Sequence, residues 1–131
     1  MNLSRRETVI KYRKEIENLT SEVRRWLGNI NEDASKEEIL AYTENLLFDN
    51  NNLQGIDTDR IQTIIESAYK RASSKYGILS ELLDDDSINE IMVNGPEYIY
   101  VEKNHQIVPV DDAFISEAEL EEVIRMFATD I

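Results

Sequence analysis

The acidic run Asp84-Asp85-Asp86 is the densest group of potential metal ligands in the sequence. A calcium loop of the EF-hand type needs acids at alternating positions, followed by a glycine for the turn and a distal glutamate. Asp84 and Asp86 alternate, but the next position of that pattern is Ile88, and no glycine follows it. We therefore predict no metal site here and interpret Asp85 to Ser87 as residues that cap or end local structure.

The single histidine, His105, is the next candidate for chemistry. It follows Asn104 in a predicted hairpin turn, and asparagine tolerates the positive φ that such turns require. No nucleophile or acid is positioned to work with this histidine, so we predict a solvated turn residue. Tyr98 and Tyr100 could form an aromatic surface, but a platform for nucleic acid would also need positive charge nearby, which is absent.

No pattern in the sequence provides for phosphate binding or for nucleophilic catalysis. The four glycines are isolated, no G-x-x-x-x-G-K-[ST] stretch occurs, and there is no cysteine. We predict that the chain by itself is not an enzyme, has no catalytic or metal-ligating residue, and binds no cofactor. The lack of cysteine also fits a cytoplasmic protein, and no apolar run approaches the ~20 residues of a membrane span.

The acidic charge is concentrated in one half of the chain. Residues 81–131 carry 14 acidic side chains and only two basic ones, Lys103 and Arg125, whereas residues 1–80 carry 13 acidic and 12 basic side chains. The second half is therefore a poor binder of nucleic acid. Such asymmetry indicates either two modules or one surface meant for a basic partner.

Apolar residues spaced three and four apart predict that the first half is helical. Ser4 and Glu7 form a capping-box pattern, which predicts a first helix from about Arg5 to Leu27. Its apolar stripe could instead be the seam of a coiled-coil dimer, but it covers barely three heptads. Packing within the chain is favoured, because two further helices offer complementary faces. The stripe consists of Val9, Tyr12, Ile16, Leu19, Val23 and Trp26.

The second and third helices also have sequence signals at their starts. Ser35 and Glu38 repeat the capping box, and the helix that follows should end in the polar run 49–52. Asp57 or Thr58 caps the third helix. Residues 1–76 are thus predicted to form a three-helix bundle.

From Gly77 onwards the pattern changes to that of a small sheet. Alternating or β-branched stretches predict strands within 88–96, 98–102 and 107–110, with Pro109 placing the third at an edge or a bulge. Ser116 and Glu119 cap a final helix. The predicted fold class is α+β: the bundle at 1–76, then a partial α/β domain at 77–131 with a three-stranded antiparallel meander and a C-terminal helix.

Residues 77–96 read GILSELLDDDSINEIMVNGP, and residues 98–103 read YIYVEK. In this order the two stretches resemble the entry into the N-terminal domain of type II/IV secretion ATPases, and most closely the CpaF type that assembles tight-adherence (Flp) pili. The resemblance covers about 77–128. Residues 1–76 match the family only in being helical, since members of the CpaF type carry a helical N-terminal extension. The residues that carry the motif are Leu82, Leu83, Glu90, Ile91, Met92, Val93, Asn94, Gly95 and Pro96.

The resemblance implies that the chain is the non-catalytic N-terminal region of a hexameric ATPase. The family's phosphate loop, acidic boxes, histidine box and catalytic arginines would lie beyond Ile131, so ATP and magnesium would belong to the parent protein. Its partners would be other subunits of the ring and the inner-membrane assembly platform. Its location would be cytoplasmic, at the inner face of the membrane.

The isolated chain could dimerise through an unpaired strand edge. The alternative is a stand-alone acidic adaptor that binds a basic protein.

Overall fold

The structure is a computed structural model that describes residues 3–29, 32–50 and 54–130. It confirms the predicted α+β class, in which helices come first and are followed by an antiparallel meander and a last helix. A 3-10 turn at Gly77–Leu79 leads into the short helix α5. The elements are α1 (Arg5–Lys11), α2 (Arg13–Asn29), α3 (Lys36–Asn50), α4 (Thr58–Ser73), α5 (Ser80–Leu83), β1 (Ile88–Val93), β2 (Ile99–Lys103), β3 (Gln106–Pro109) and α6 (Glu117–Asp130).

The single helix predicted from Arg5 to Leu27 is in fact two helices. Tyr12 leaves the helical region at φ −106° and ψ 25°, which ends α1. The amide of Ile16 still donates to the carbonyl of Tyr12 at 3.0 Å, so α2 begins without a gap. It then continues two residues beyond the predicted end, to Asn29.

The predicted caps are largely present, because each depends on residues within one helical turn. The capping box of Ser4 and Glu7 is complete. Ser35 and Glu38 exchange the same two hydrogen bonds at 3.2 Å, and the Asp57 side chain accepts from the amide of Arg60 at 3.0 Å.

The bundle buries the predicted stripe of α1 and α2 against α3 and α4 of the same chain. Trp26, predicted to lie in this core, is half-buried and stacks on Tyr42 with ring centroids 4.3 Å apart. Ala113, which follows the sheet, also belongs to this cluster. The other buried members are Val9, Ile16, Leu19, Leu47, Ile64, Ile65 and Ala68.

The sheet has the strand order β1-β2-β3, and both neighbouring pairs are antiparallel. The register is irregular between Ile88 and Glu90, which leaves Asn89 as a bulge. Asn104 and His105 form the tight turn between β2 and β3 with φ values of 51° and 64°, and His105 is exposed as predicted. Pro109 lies on the edge strand β3, as predicted.

One face of the sheet packs against α6 and the 3-10 turn. Val101 and Ile99 face inward, opposite Ile91 and Val93 of the first strand. The buried centre of this second cluster consists of Ile78, Ile99, Phe114 and Val123. Tyr98 and Ile107 remain exposed.

Candidate functional site

An apolar groove of about 400 Å³ runs along β1, between that strand and the helices α5 and α6. Three large apolar side chains in it are notably exposed: Leu83 at 39%, Ile124 at 55% and Phe127 at 40%. Exposed apolar residues that occur singly need no explanation, but a contiguous set of them indicates an interaction surface. The lining residues are Leu79, Leu82, Leu83, Ile88, Asn89, Glu90, Ile91, Val93, Val123, Ile124 and Phe127.

The groove lies beside an open edge of the sheet. The amide of Asn94 donates to the carbonyl of Tyr98 at 2.8 Å, which begins the ladder between β1 and β2. Because inward and outward backbone groups alternate along an antiparallel strand, Met92 also bonds towards β2, and Ile91 and Val93 present their N–H and C=O groups on the other side. Within the described ranges, no strand pairs with β1 there.

Five of the nine motif residues line this groove: Leu82, Leu83, Glu90, Ile91 and Val93. They come together because α5 packs beside the start of β1. This places the apolar side chains of the helix next to the inward-facing side chains of the strand.

The other four motif residues shape the strand and its turn. Met92 lies on the opposite face of the sheet, paired with Tyr100. Asn94 and Gly95 form the turn, in which Gly95 has a φ of 100° that favours glycine. The carbonyl of Pro96 accepts from the amide of Phe114 at 2.8 Å, which anchors the turn to the segment before α6.

One acidic side chain lines the groove, and others lie close to its residues in the sequence. Asp84 and Asp86 precede β1, and Glu90 lies in its wall; none of the three has an ion pair with a described residue. On α6, Glu117 and Glu121 precede Ile124 by seven and three residues, and helical spacing therefore puts both on its side of the helix.

Asp85 has a local structural role, as predicted. Its carboxylate accepts from the amide of Ser87 at 2.9 Å and from the Ser87 hydroxyl at 2.6 Å. These hydrogen bonds lower the pKa of Asp85 below its usual value, and the one from the Ser87 hydroxyl has the larger effect. An ion pair with Lys103 at 3.4 Å ties this turn to the end of β2.

The described residues contain neither a cluster of potential metal ligands nor a glycine-rich phosphate loop. Over 3–29, 32–50 and 54–130, no three histidine or acidic side chains are grouped so that they could hold an ion. Gly77 and Gly95 are single turn residues, and neither belongs to a glycine-rich loop that precedes a helix and a lysine.

Arg71 is the residue that the sequence-based predictions missed. Its side chain is fully buried, and its Nε lies 2.8 Å from Oε2 of Glu119; this contact is an ion pair without the alignment of a hydrogen bond. Nη2 donates to the carbonyl of Ala113 at 2.5 Å, and Nη1 donates to the hydroxyl of Ser67. A signal existed, because Arg71 follows Ala68 at helical spacing and so lies on the apolar face of α4.

Further polar contacts cross the predicted boundary at residues 76 and 77. Lys70 lies 3.5 Å from Asp112 and 3.7 Å from Glu81. The carboxylate of Asp111 accepts from the backbone amides of Arg5 and Arg6 at 3.2 and 2.9 Å, which caps α1 from the other half of the chain. The bundle and the sheet are thus joined by charge as well as by the shared apolar residue Ala113.

In comparisons with known proteins, no family model matches the chain, and no curated protein matches it. No helix in the described part of the chain is long and apolar enough to cross a membrane.

Proposed function

We propose that this chain is the non-catalytic N-terminal region of a bacterial secretion ATPase of the CpaF type and serves to bind other proteins. The observation that carries the proposal is the position of the motif. Five of the nine residues that carry the resemblance to this family line one apolar groove. That groove lies along the edge of β1 with which no described strand pairs, where a protein partner has access to it.

In this role the chain would contact neighbouring subunits of the ring and the membrane platform. The ion pair between Arg71 and Glu119 supports a mechanical link, because a buried pair resists separation of the two elements that carry it. A displacement of the sheet would then move the bundle with it. Nucleotide binding would belong to the parent protein, as the resemblance to the family implies.

The test is to read the coding sequence beyond Ile131 and to purify its full product. The proposal expects a G-x-x-x-x-G-K-[ST] stretch downstream, magnesium-dependent ATP hydrolysis, and a hexamer in sedimentation. A stop codon directly after Ile131 would overturn it.

The alternative is a stand-alone acidic adaptor for a basic protein. The observation that favours it is the set of acids around the groove, Asp84, Asp86 and Glu90, which have no ion pair with a described residue. Both functions use the groove for binding, and the downstream coding sequence separates them.

A further inference from the structure

Helix α6 carries apolar side chains beside β1 that the three strands leave exposed. Val123 is buried against the inner face of the sheet, whereas Ile124 and Phe127 reach into the groove and are 55% and 40% exposed. Neighbouring strands lie about 4.8 Å apart. A strand added beside β1 would therefore occupy the groove and cover these two side chains.

The outer edge of β1 has backbone donors and acceptors that can pair with such a strand. The N–H and C=O groups of Ile91 and Val93 point away from β2, and no described strand accepts them. An extended peptide that adds to an exposed edge gains main-chain hydrogen bonds, and pockets for alternate side chains give it specificity. Here the inward side chains would meet Leu83, Ile124 and Phe127, so they must be apolar.

The outward side chains of the added strand would face negative charge. Glu90 is directly opposite Glu102 in the register, and like charges at such positions destabilise a sheet. Neither has an ion pair with a described residue, and Lys103 is held by Asp85. A lysine or arginine beside Glu90 would relieve this repulsion.

We infer that β1 accepts an extended segment of a basic partner protein as a fourth strand, with apolar side chains alternating with lysine or arginine. This inference concerns the occupant of the groove and holds for the ATPase region and for the adaptor alike. A second copy of the chain is a poor occupant, because it would place another Glu90 and the acids of another half with a charge of −12 beside the first.

The probe is a synthetic peptide of alternating valine and lysine, labelled for fluorescence anisotropy. A peptide of the same composition with its valines and lysines in separate blocks is the control for charge alone. The alternating peptide should bind about tenfold more tightly than the block peptide. It should also slow hydrogen exchange at the amides of Ile91 and Val93.

Backbone pairing is tested without altering the protein. N-methyl groups on the peptide amides that face β1 should abolish binding, whereas N-methyl groups on the opposite edge should leave it intact. Glu90→Lys should weaken binding about three- to tenfold. Glu44→Lys is the matched control, since this exposed residue of α3 makes the same charge change far from the groove.

Equal binding of the alternating and block peptides would overturn the inference. So would indifference to N-methylation, no binding at millimolar peptide, or a dimer of the chain in sedimentation that protects the β1 amides. Failure here with a phosphate loop found downstream would leave the ATPase proposal standing.

Discussion

Arg71 on α4 and Glu119 on α6 form an ion pair across the predicted boundary of the chain, with Nε 2.8 Å from Oε2. The other carboxylate oxygen of Glu119 accepts from the amide of Ile115 at 2.8 Å. The Glu119 side chain thus caps the start of α6 and also neutralises the buried guanidinium of Arg71. The capping box predicted from Ser116 and Glu119 is therefore only half formed. The Ser116 hydroxyl accepts from the amide of Glu119, but the Glu119 carboxylate accepts from the amide of Ile115 and not from that of Ser116.

Arg71→Met should strongly destabilise the protein. The change leaves the Glu119 carboxylate, only 12% exposed, without its cation. Breaking a buried pair on one side costs about 3–5 kcal/mol. Urea denaturation gives the free energy of unfolding, and the double variant Arg71→Met with Glu119→Leu should recover most of the loss.

Arg25→Ala, which removes an exposed pair with Glu22, should cost no more than about 0.5 kcal/mol. A single Met variant as stable as the wild type would show that the pair does not hold the two halves together.

Asp111 should make stability depend on pH at the acidic end. Its partial burial acts to raise its pKa, but the amides of Arg6 and Arg5, the Ser4 side chain and the charge of Arg5 together lower the pKa below its usual value. The stabilisation is therefore complete above the unfolded pKa of about 4 and is lost as pH falls through the lower folded pKa. Asp111→Asn should be less stable at pH 7 by roughly 0.5 kcal/mol.

The measurement is urea denaturation at neutral and at acidic pH. The difference between the wild type and Asp111→Asn should shrink as pH falls below about 4. Glu44→Gln, an exposed change without an ion pair to a described residue, serves as the control. A difference that stays constant with pH would refute the charge-based cap on α1.

His105→Gly should stabilise the hairpin. His105 and Asn104 both have positive φ, and a residue with a β-carbon is strained in that region, whereas glycine is not. After allowing for the greater freedom of glycine in the unfolded chain, we expect a gain of about 0.5 kcal/mol. His105→Ala keeps the β-carbon and should show no gain. Thermal denaturation compares the variants; a lower melting temperature for the glycine variant would contradict the prediction.

The purified chain should show no tight binding of ATP with magnesium. The affinity of a protein for a triphosphate comes mainly from the backbone amides and the lysine of a phosphate loop. The sequence contains no such loop. Isothermal titration calorimetry tests this, with the full product of the coding sequence as the comparison. A dissociation constant in the low micromolar range for this chain would disprove the prediction.

Features that depend on near neighbours could be predicted from the sequence. The capping boxes at Ser4 and Ser35, the cap at Asp57 and the helical stripes each involve residues within a turn or two, so their spacing is sufficient to predict them. The strands and the turn at Asn104 followed from alternation and turn chemistry. The break at Tyr12 was not predictable, because the apolar spacing is regular through it.

Contacts between residues that are distant in the sequence became visible only in the folded chain. The −12 charge of the second half indicated a basic partner, and Arg71 and Lys70 of the same chain take up part of that charge through Glu119, Asp112 and Glu81. The groove likewise exists only because α5, β1 and α6 come together in the fold. Such contacts join residues far apart in the sequence, and local periodicity carries no information about how helices and strands are placed against one another.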